Sequence, residues 1–260
     1  MKISVCCPSY KRPIVKTLKY LPFCKVYVDG SEYDDYVKEN PNATIVRCAD
    51  GVQGNVARVR NHILDQEFKN GAEAVCIVDD DLSGIYRFDV NYKTNFGYDR
   101  NIVESDLFFD FLEKHSLLCL EFGYRLWGVN CNSDPMSYRH YSPFSMSNII
   151  LGPFCVHLNN DIRYDEKLPL KEDYDLAIQH LNKYRGILRL NGYHYICEQS
   201  TNKGGCAAMR NRQREKEQFE LLQKKWGSDI VREDKGNRQK TKKIKLFDYN
   251  PIIKVPIKGT

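Results

Sequence analysis

The stretch AVCIVDDDLSGI, residues 74–85, decides the fold. Five apolar residues with strand character run straight into three aspartates, so Asp79, Asp80 and Asp81 arrive together at a strand's end. Adjacent carboxylates repel one another, and such a triplet is costly unless a cation or a basic ligand neutralises it. A hard divalent ion, Mn2+ or Mg2+, is the natural solution, because it prefers oxygen ligands and keeps positions open for substrate phosphates. Two residues apart on an extended chain, Asp79 and Asp81 point the same way and are the expected metal ligands, with Asp80 turned to the other face. The competing reading is a solvated acidic turn.

Working outward, apolar runs bounded by turn residues predict strands at 2–8, 25–28, 43–47, 125–130 and 148–156 besides 74–78. Helical patterns lie between them. In 54–68, Val56, Val59 and Ile63 make an apolar stripe that leaves Arg58 and Asn61 on other faces. Helices are also expected at 104–115 and at 172–184, where Ala177, Leu181 and Tyr184 share a face and Gly186 ends the pattern. Strands alternating with helices imply an α/β fold with a mainly parallel sheet covered on both faces, and ligands gather at the carboxyl ends of such strands. The Ser-, Asn- and Tyr-rich stretch 132–147 is expected to form a long loop over the site. A charged helix at 212–226 presents Phe219, Leu222 and Trp226 on one face before Gly227 stops it.

A second acidic signal follows roughly 90 residues after the first, where Glu172, Asp173 and Asp175 occupy a helix's first turn. The helix dipole and N-capping alone favour acidic residues there. The order of the two signals, a carboxylate triplet at a strand end and then a carboxylate pair entering a helix, is what points to chemistry.

In that order, SVCCPSYKRP (4–13), VDDD (78–81) and KEDYD (171–175), the sequence resembles the GT-A glycosyltransferases. More narrowly it looks like the TET-associated group, thought to glycosylate hydroxymethylated pyrimidines in DNA in phages and some microbes. PSYKR (8–12), ARVRNHILD (57–65), IVDDDL (77–82), KED (171–173) and TNKGGC (201–206) carry that resemblance over residues 1–210. It implies a Rossmann-related GT-A domain at 1–210 and a basic helical and tail extension at 211–260.

Roles follow from the chemistry together with the resemblance. The donor is a nucleotide sugar, UDP-sugar by expectation, whose diphosphate is neutralised by a metal held by Asp79 and Asp81. Asp80 is placed at the ribose or the sugar. The acceptor hydroxyl needs a general base, Asp173 or its neighbour Glu172, and direct attack inverts the anomeric centre. Pro8, Ser9, Tyr10, Lys11 or Arg12, and Arg58, Arg60 and Asn61, are candidates for donor or base contacts, each cation having a plain surface role as its alternative. Lys203 beside Gly204 and Gly205 suits a loop closing over a diphosphate, although paired glycines also make ordinary turns. His194 stands where this fold often supplies a third metal ligand; a core histidine in an aromatic strand is the other reading.

Charge is unevenly placed. Residues 203–245 hold 14 Lys or Arg against 6 Asp or Glu, whereas residues 1–202 hold 23 against 27, so a polyanion such as DNA is expected to meet the C-terminal segment alone. Ten cysteines without a Cys-x-x-Cys pair are expected as buried reduced thiols rather than a zinc site. At 42% apolar and 28% charged residues the chain reads as globular, neither disordered nor collagen-like. No apolar stretch reaches the ~20 residues of a membrane span, and the N-terminus lacks signal-peptide character, so a cytoplasmic location is expected. Two alternatives stand beside the DNA-modifying enzyme: transfer to a glycan, lipid or protein, and a non-catalytic nucleic-acid module with an inert aspartate cluster. A nucleotidyltransferase would be expected to show a Gly-Ser pair opening a helix ahead of the aspartates, and none precedes them.

Overall fold

The computed structural model describes residues 1–91, 97–197, 210–234 and 249–255. In chain order these contain β1 (Ile3–Pro8), β2 (Lys25–Val28), α1 (Tyr33–Glu39), β3 (Thr44–Arg47), α2 (Val56–Lys69), β4 (Ala74–Val78), β5 (Leu82–Asn91) and β6 (Gly97–Ile102). Then come α3 (Phe108–Glu121), β7 (Leu126–Asn130), β8 (Phe144–Ser145), β9 (Phe154–Leu158), α4 (Glu172–Tyr184), β10 (Leu188–Cys197), α5 (Arg212–Trp226), β11 (Val231–Glu233) and β12 (Pro251–Ile253). One sheet runs β3-β2-β1-β4-β9-β7-β10-β5-β6, with β8 paired to β10. Most of its strands point one way, and β5, β8 and β9 run against them.

The apolar run ahead of the aspartates is uninterrupted because both faces of β4 are covered. Ala74, Cys76 and Val78 enter one core with Phe108, Leu112 and Cys119 of α3. Val75 and Ile77 enter another with Val59 and Ile63 of α2 and Leu176 and Leu181 of α4. Each such large side chain withdrawn from water contributes about 1.5–3 kcal/mol. The chain winds outward from β1 through β2 to β3 and returns to β4 on β1's other side, which opens a crevice at the carboxyl ends of β1 and β4. Because β9 lies antiparallel between β4 and β7, its start reaches that same edge, and the Asp79 amide donates to the Pro153 carbonyl at 3.1 Å.

Several expected boundaries move. The strand expected at 148–156 begins only at Phe154, because Pro153 has no N–H for the ladder. The helix expected at 104–115 runs Phe108–Glu121, its apolar stripe continuing through Cys119. The stretch 132–147 is mostly irregular, as expected, but part of it packs against the sheet. It contains β8 and lays Tyr138 on Phe88 at 5.2 Å between ring centres, against β5 and β10. Helix α1 and strands β5 and β6 were not anticipated, and β10 only as the aromatic strand around His194.

Helix α4 has the expected span, but Arg185, at φ 62°, takes the left-handed cap that Gly186 was expected to supply. Gly186 has a different reason to be glycine: a Cβ there would stand 2.2 Å from the Tyr124 ring. Gly186→Ala is therefore expected to cost about 1–3 kcal/mol by overpacking, read as a lowered melting temperature. An unchanged melting curve would mean that Tyr124 moves away freely.

The C-terminal extension packs on α4. Phe219, Leu222 and Val231 share a core with Leu168 and Ile178. The Lys171 ammonium, 2% exposed, donates to Glu215 at 2.6 Å, and buried Asp175 accepts from the Trp226 indole at 2.7 Å and from Lys225 at 2.8 Å. The residue immediately ahead of Glu172 is thereby pinned. The nine described cysteines are free, seven of them buried, as expected of reduced thiols. Among the described residues no helix is long and apolar enough to cross a membrane.

Candidate active site

The loop after β1 and the turn after β4 are knit together. Asp80 accepts from Arg12 Nη1 at 2.8 Å and from Ser9 Oγ at 2.7 Å, and the Tyr36 hydroxyl lies 2.9 Å from Ser9 Oγ while accepting from the Arg12 amide. Thr17 closes the turn: its hydroxyl donates to the Asp79 carbonyl at 2.6 Å and accepts from the Leu82 amide, and its own amide donates to the Asp80 carbonyl. Asp81 lies 3.9 Å from Arg12 and is hydrogen-bonded by the Cys197 thiol. Burial raises the Asp80 pKa, an effect that Ser9 and Arg12 only partly oppose.

Arg60 joins the two acidic signals. From the buried side of α2, at 2% exposure, it donates through Nη1 to Glu172 at 3.0 Å and through Nη2 to Asp79 at 3.0 Å and to the Gly152 carbonyl at 3.2 Å. Its guanidinium lies over the Tyr164 ring, 5.6 Å from the centre. Gly152 must lack a side chain, since a Cβ would come within 2.9 Å of both Arg60 terminal nitrogens. Four carboxylates, Asp79, Asp80, Asp81 and Glu172, are thus linked to two guanidiniums, with Asp173 next to Glu172, an acidic cluster suited to a divalent cation.

Among the described residues no three His, Cys, Asp or Glu side chains converge to hold a metal by themselves. The donor set still fits Mn2+ or Mg2+, because such ions are commonly held by one or two carboxylates with phosphate oxygens and water completing the shell. The Asp79 side chain is 34% exposed and suits that use. His194 does not join it: fully buried, it stacks on Tyr86 at 5.6 Å and lies 4.5 Å from Phe88 between ring centres, with Nδ1 facing the Tyr195 carbonyl. Its expected ligand role gives way to aromatic packing.

The two acidic residues opening α4 are placed differently. Glu172 is buried against Arg60, and its pKa is raised by burial and by the charge of Asp173, with Arg60 offsetting part of this. Asp173 is half-buried and accepts from the Tyr174 amide at 2.8 Å and the Gly152 amide at 3.3 Å. Because Glu172 keeps its proton to higher pH in the folded chain than in the unfolded one, the stability it contributes is present below the ordinary carboxylate range, near pH 4.5, and is lost as pH rises through its raised value. Glu172→Gln is expected to remove that decline. Parallel melting-temperature profiles for the two proteins between pH 5 and 9 would contradict it.

Two α2 residues expected at the donor have protein partners. Arg58 pairs with Glu166 at 2.9 Å and donates to the Gly51 carbonyl, and Asn61 exchanges two hydrogen bonds with the Tyr164 backbone, so both tie the helix to neighbouring loops. Pro8 ends β1, Tyr10 carries the Lys11 ammonium 5.0 Å from its ring centre, and Lys11 adopts φ 59°. Lys203, Gly204 and Gly205 lie outside the described residues, as does the basic run 236–245. Sequence reasoning passed over Thr17, Tyr36 and Gly152, whose value lies in contacts across 24 to 92 residues and leaves no periodic or charge signal.

No protein-family model matches the chain, and no curated protein matches it. Among solved structures it is similar to glucosyl-3-phosphoglycerate synthase from Mycobacterium tuberculosis. The form with Mn2+, UDP and phosphoglyceric acid aligns at TM-score 0.50 and 13% identity over 97% of this chain and 86% of that one. The form with Mg2+ and UDP aligns at TM-score 0.50 and 13% identity over 91% and 85%. Residues 1–349 of S. aureus TarS align at TM-score 0.45 and 16% identity over 75% of this chain, which spans 59% of that fragment. At these identities the likeness is one of fold. The fold is of the GT-A type: a mixed, mainly parallel sheet flanked by helices, with its crevice at the carboxyl ends of β1 and β4.

Proposed function

We propose that this chain is a metal-dependent glycosyltransferase that moves a sugar from a nucleotide donor, a UDP-sugar by preference, to an acceptor hydroxyl with inversion. The observation that carries the reading is the linkage of the carboxylates after β4 to the carboxylates opening α4 through the buried Arg60. The known ligands of the similarly folded synthase, UDP with Mn2+ or Mg2+, accord with it. A divalent ion at Asp79 and Asp81 supplies charge neutralisation for the leaving diphosphate. Asp80, held by Ser9 and Arg12, fixes the turn that presents its two neighbours. Asp173 takes the acceptor's proton as the hydroxyl oxygen bonds to the anomeric carbon and the carbon–phosphate-oxygen bond breaks, the electron pair leaving with the nucleoside diphosphate. Glu172, clamped by Arg60 and more deeply buried, is a positioning residue that orients the start of α4.

The finer acceptor reading, the hydroxyl of a hydroxymethylated pyrimidine in DNA, rests on the resemblance and on the positive segment 203–245, much of which lies outside the described residues. Of the α5 cations, Lys225 is engaged with Asp165 and Asp175. The decisive experiment is calorimetric titration of UDP with Mn2+, followed by transfer from UDP-glucose to hydroxymethylated duplex DNA, with a glycan acceptor in parallel. Chelation, or Asp79→Asn with Asp81→Asn, is expected to weaken UDP binding at least about tenfold. UDP binding that ignores both the metal and the aspartates would sink the reading. Transfer to the glycan alone would move the acceptor away from DNA.

A further inference from the structure

Each expected metal ligand has a guanidinium beside it, and the two guanidiniums are held in different ways. Arg60, on Asp79, is 2% exposed and fixed by three hydrogen bonds and the Tyr164 ring. Arg12 comes from the loop after β1 with its side chain 20% exposed; it bonds Asp80 Oδ1 at 2.8 Å and stands 3.9 Å from Asp81 Oδ2. The loop is shaped to deliver it. Lys11 turns the chain at φ 59°, an unfavourable value for a residue with a Cβ, and its amide donates to Glu32 at 2.9 Å, while the Arg12 amide donates to the Tyr36 hydroxyl at 3.0 Å. Asp80 is secured a second time by Ser9 at 2.7 Å. The bond to Asp80 fixes Arg12, whereas at 3.9 Å, beyond hydrogen-bond reach, Arg12 acts on Asp81 through charge.

We propose that Arg12 is a resident counter-cation for Asp81, and that it makes binding of the divalent ion conditional on a diphosphate. The proposal rests on the glycosyltransferase reading and adds to it a residue that couples the ion to the nucleotide. Without nucleotide, an ion approaching Asp81 meets a positive charge fixed 3.9 Å from that carboxylate and is repelled. A diphosphate brings negative charge that the ion and the Arg12 guanidinium share, so repulsion gives way to a bridge. Ion and nucleotide then bind cooperatively, each raising the affinity of the other by the same factor. Arg60 does not play this part, because its charge is divided between Asp79 and Glu172 in a buried clamp.

Arg12→Gln separates charge from hydrogen bonding, because an amide keeps a donor for Asp80 and removes the positive charge. In Mn2+ titrations followed by the electron paramagnetic resonance of the free ion, wild type is expected to bind Mn2+ about tenfold or more tightly with UDP than without it. Mn2+ alone is expected to bind R12Q about tenfold more tightly than wild type, with the gain from UDP shrinking to match. Arg12→Lys, which keeps the charge, should stay near wild type. A merely structural Arg12 would lower the melting temperature of R12Q and leave its affinity for Mn2+ alone equal or weaker, and that result would overturn the proposal. So would wild type binding Mn2+ as tightly without UDP as with it, an outcome that needs no variant to fold. Wild type that binds neither Mn2+ nor UDP, singly or together, would instead overturn the glycosyltransferase reading, and the role of Arg12 with it.

Discussion

Asp173→Asn is expected to lower sugar transfer by about 10²- to 10⁴-fold in kcat while leaving UDP affinity within a factor of two or so. Asparagine keeps the shape of the side chain and one acceptor oxygen, so it can still accept from the Tyr174 amide at 2.8 Å while giving up the longer 3.3 Å bond from the Gly152 amide, and the start of α4 should hold its place. What it loses is the capacity to take a proton from the attacking hydroxyl. Glu172→Gln is the informative comparison, because that side chain touches Arg60 rather than the open side of the site. Steady-state kinetics with UDP titrations on both variants decide the matter. If Glu172→Gln abolishes turnover and Asp173→Asn does not, the two roles are reversed.

Arg60→Met is expected to cost about 3–5 kcal/mol of folding stability, since it removes one partner of a buried ionic cluster and leaves the other in place. Glu172 lies beside Asp173 with its pKa already raised; without the guanidinium its charged form is worse still, so the loss deepens as pH rises and eases where the carboxyl can hold its proton. Adding Glu172→Gln should recover part of the loss, the signature of two groups that interact directly. Denaturant melts of the single and double variants at pH 6 and pH 8.5 test this. Additive effects at both pH values would mean that the 3.0 Å contact carries no coupling.

Much of this was legible along the chain, for a physical reason that differs between elements. Strand β4 and helix α4 appear with the expected spans because burial on both faces, or on one stripe, writes a local pattern of apolar residues. Strand β5 was missed and β10 read only around His194: their runs, LSGIYRFDVN and LRLNGYHYIC, mix polar, glycine and aromatic positions and pair with each other across more than 100 residues. For α2 the amphipathic argument identified the helix and left both Arg58 and Arg60 as candidates, without distinguishing the buried one. A burial stripe excludes cations by rule, whereas Arg60 lies on it because two carboxylates from elsewhere are waiting there.

Read alone, the sequence determined that a strand ends in three carboxylates, that a helix later begins with two more, and that an α/β sheet joins them, since periodicity and adjacent like charges are properties of neighbours along the chain. Only the tertiary structure decided that Arg60 would bind both groups, that an antiparallel β9 would bring Gly152 to them, and that His194 would be packed among aromatic rings. Those outcomes depend on which distant segments meet, and contact between residues far apart along the chain leaves no imprint on the local order of side chains.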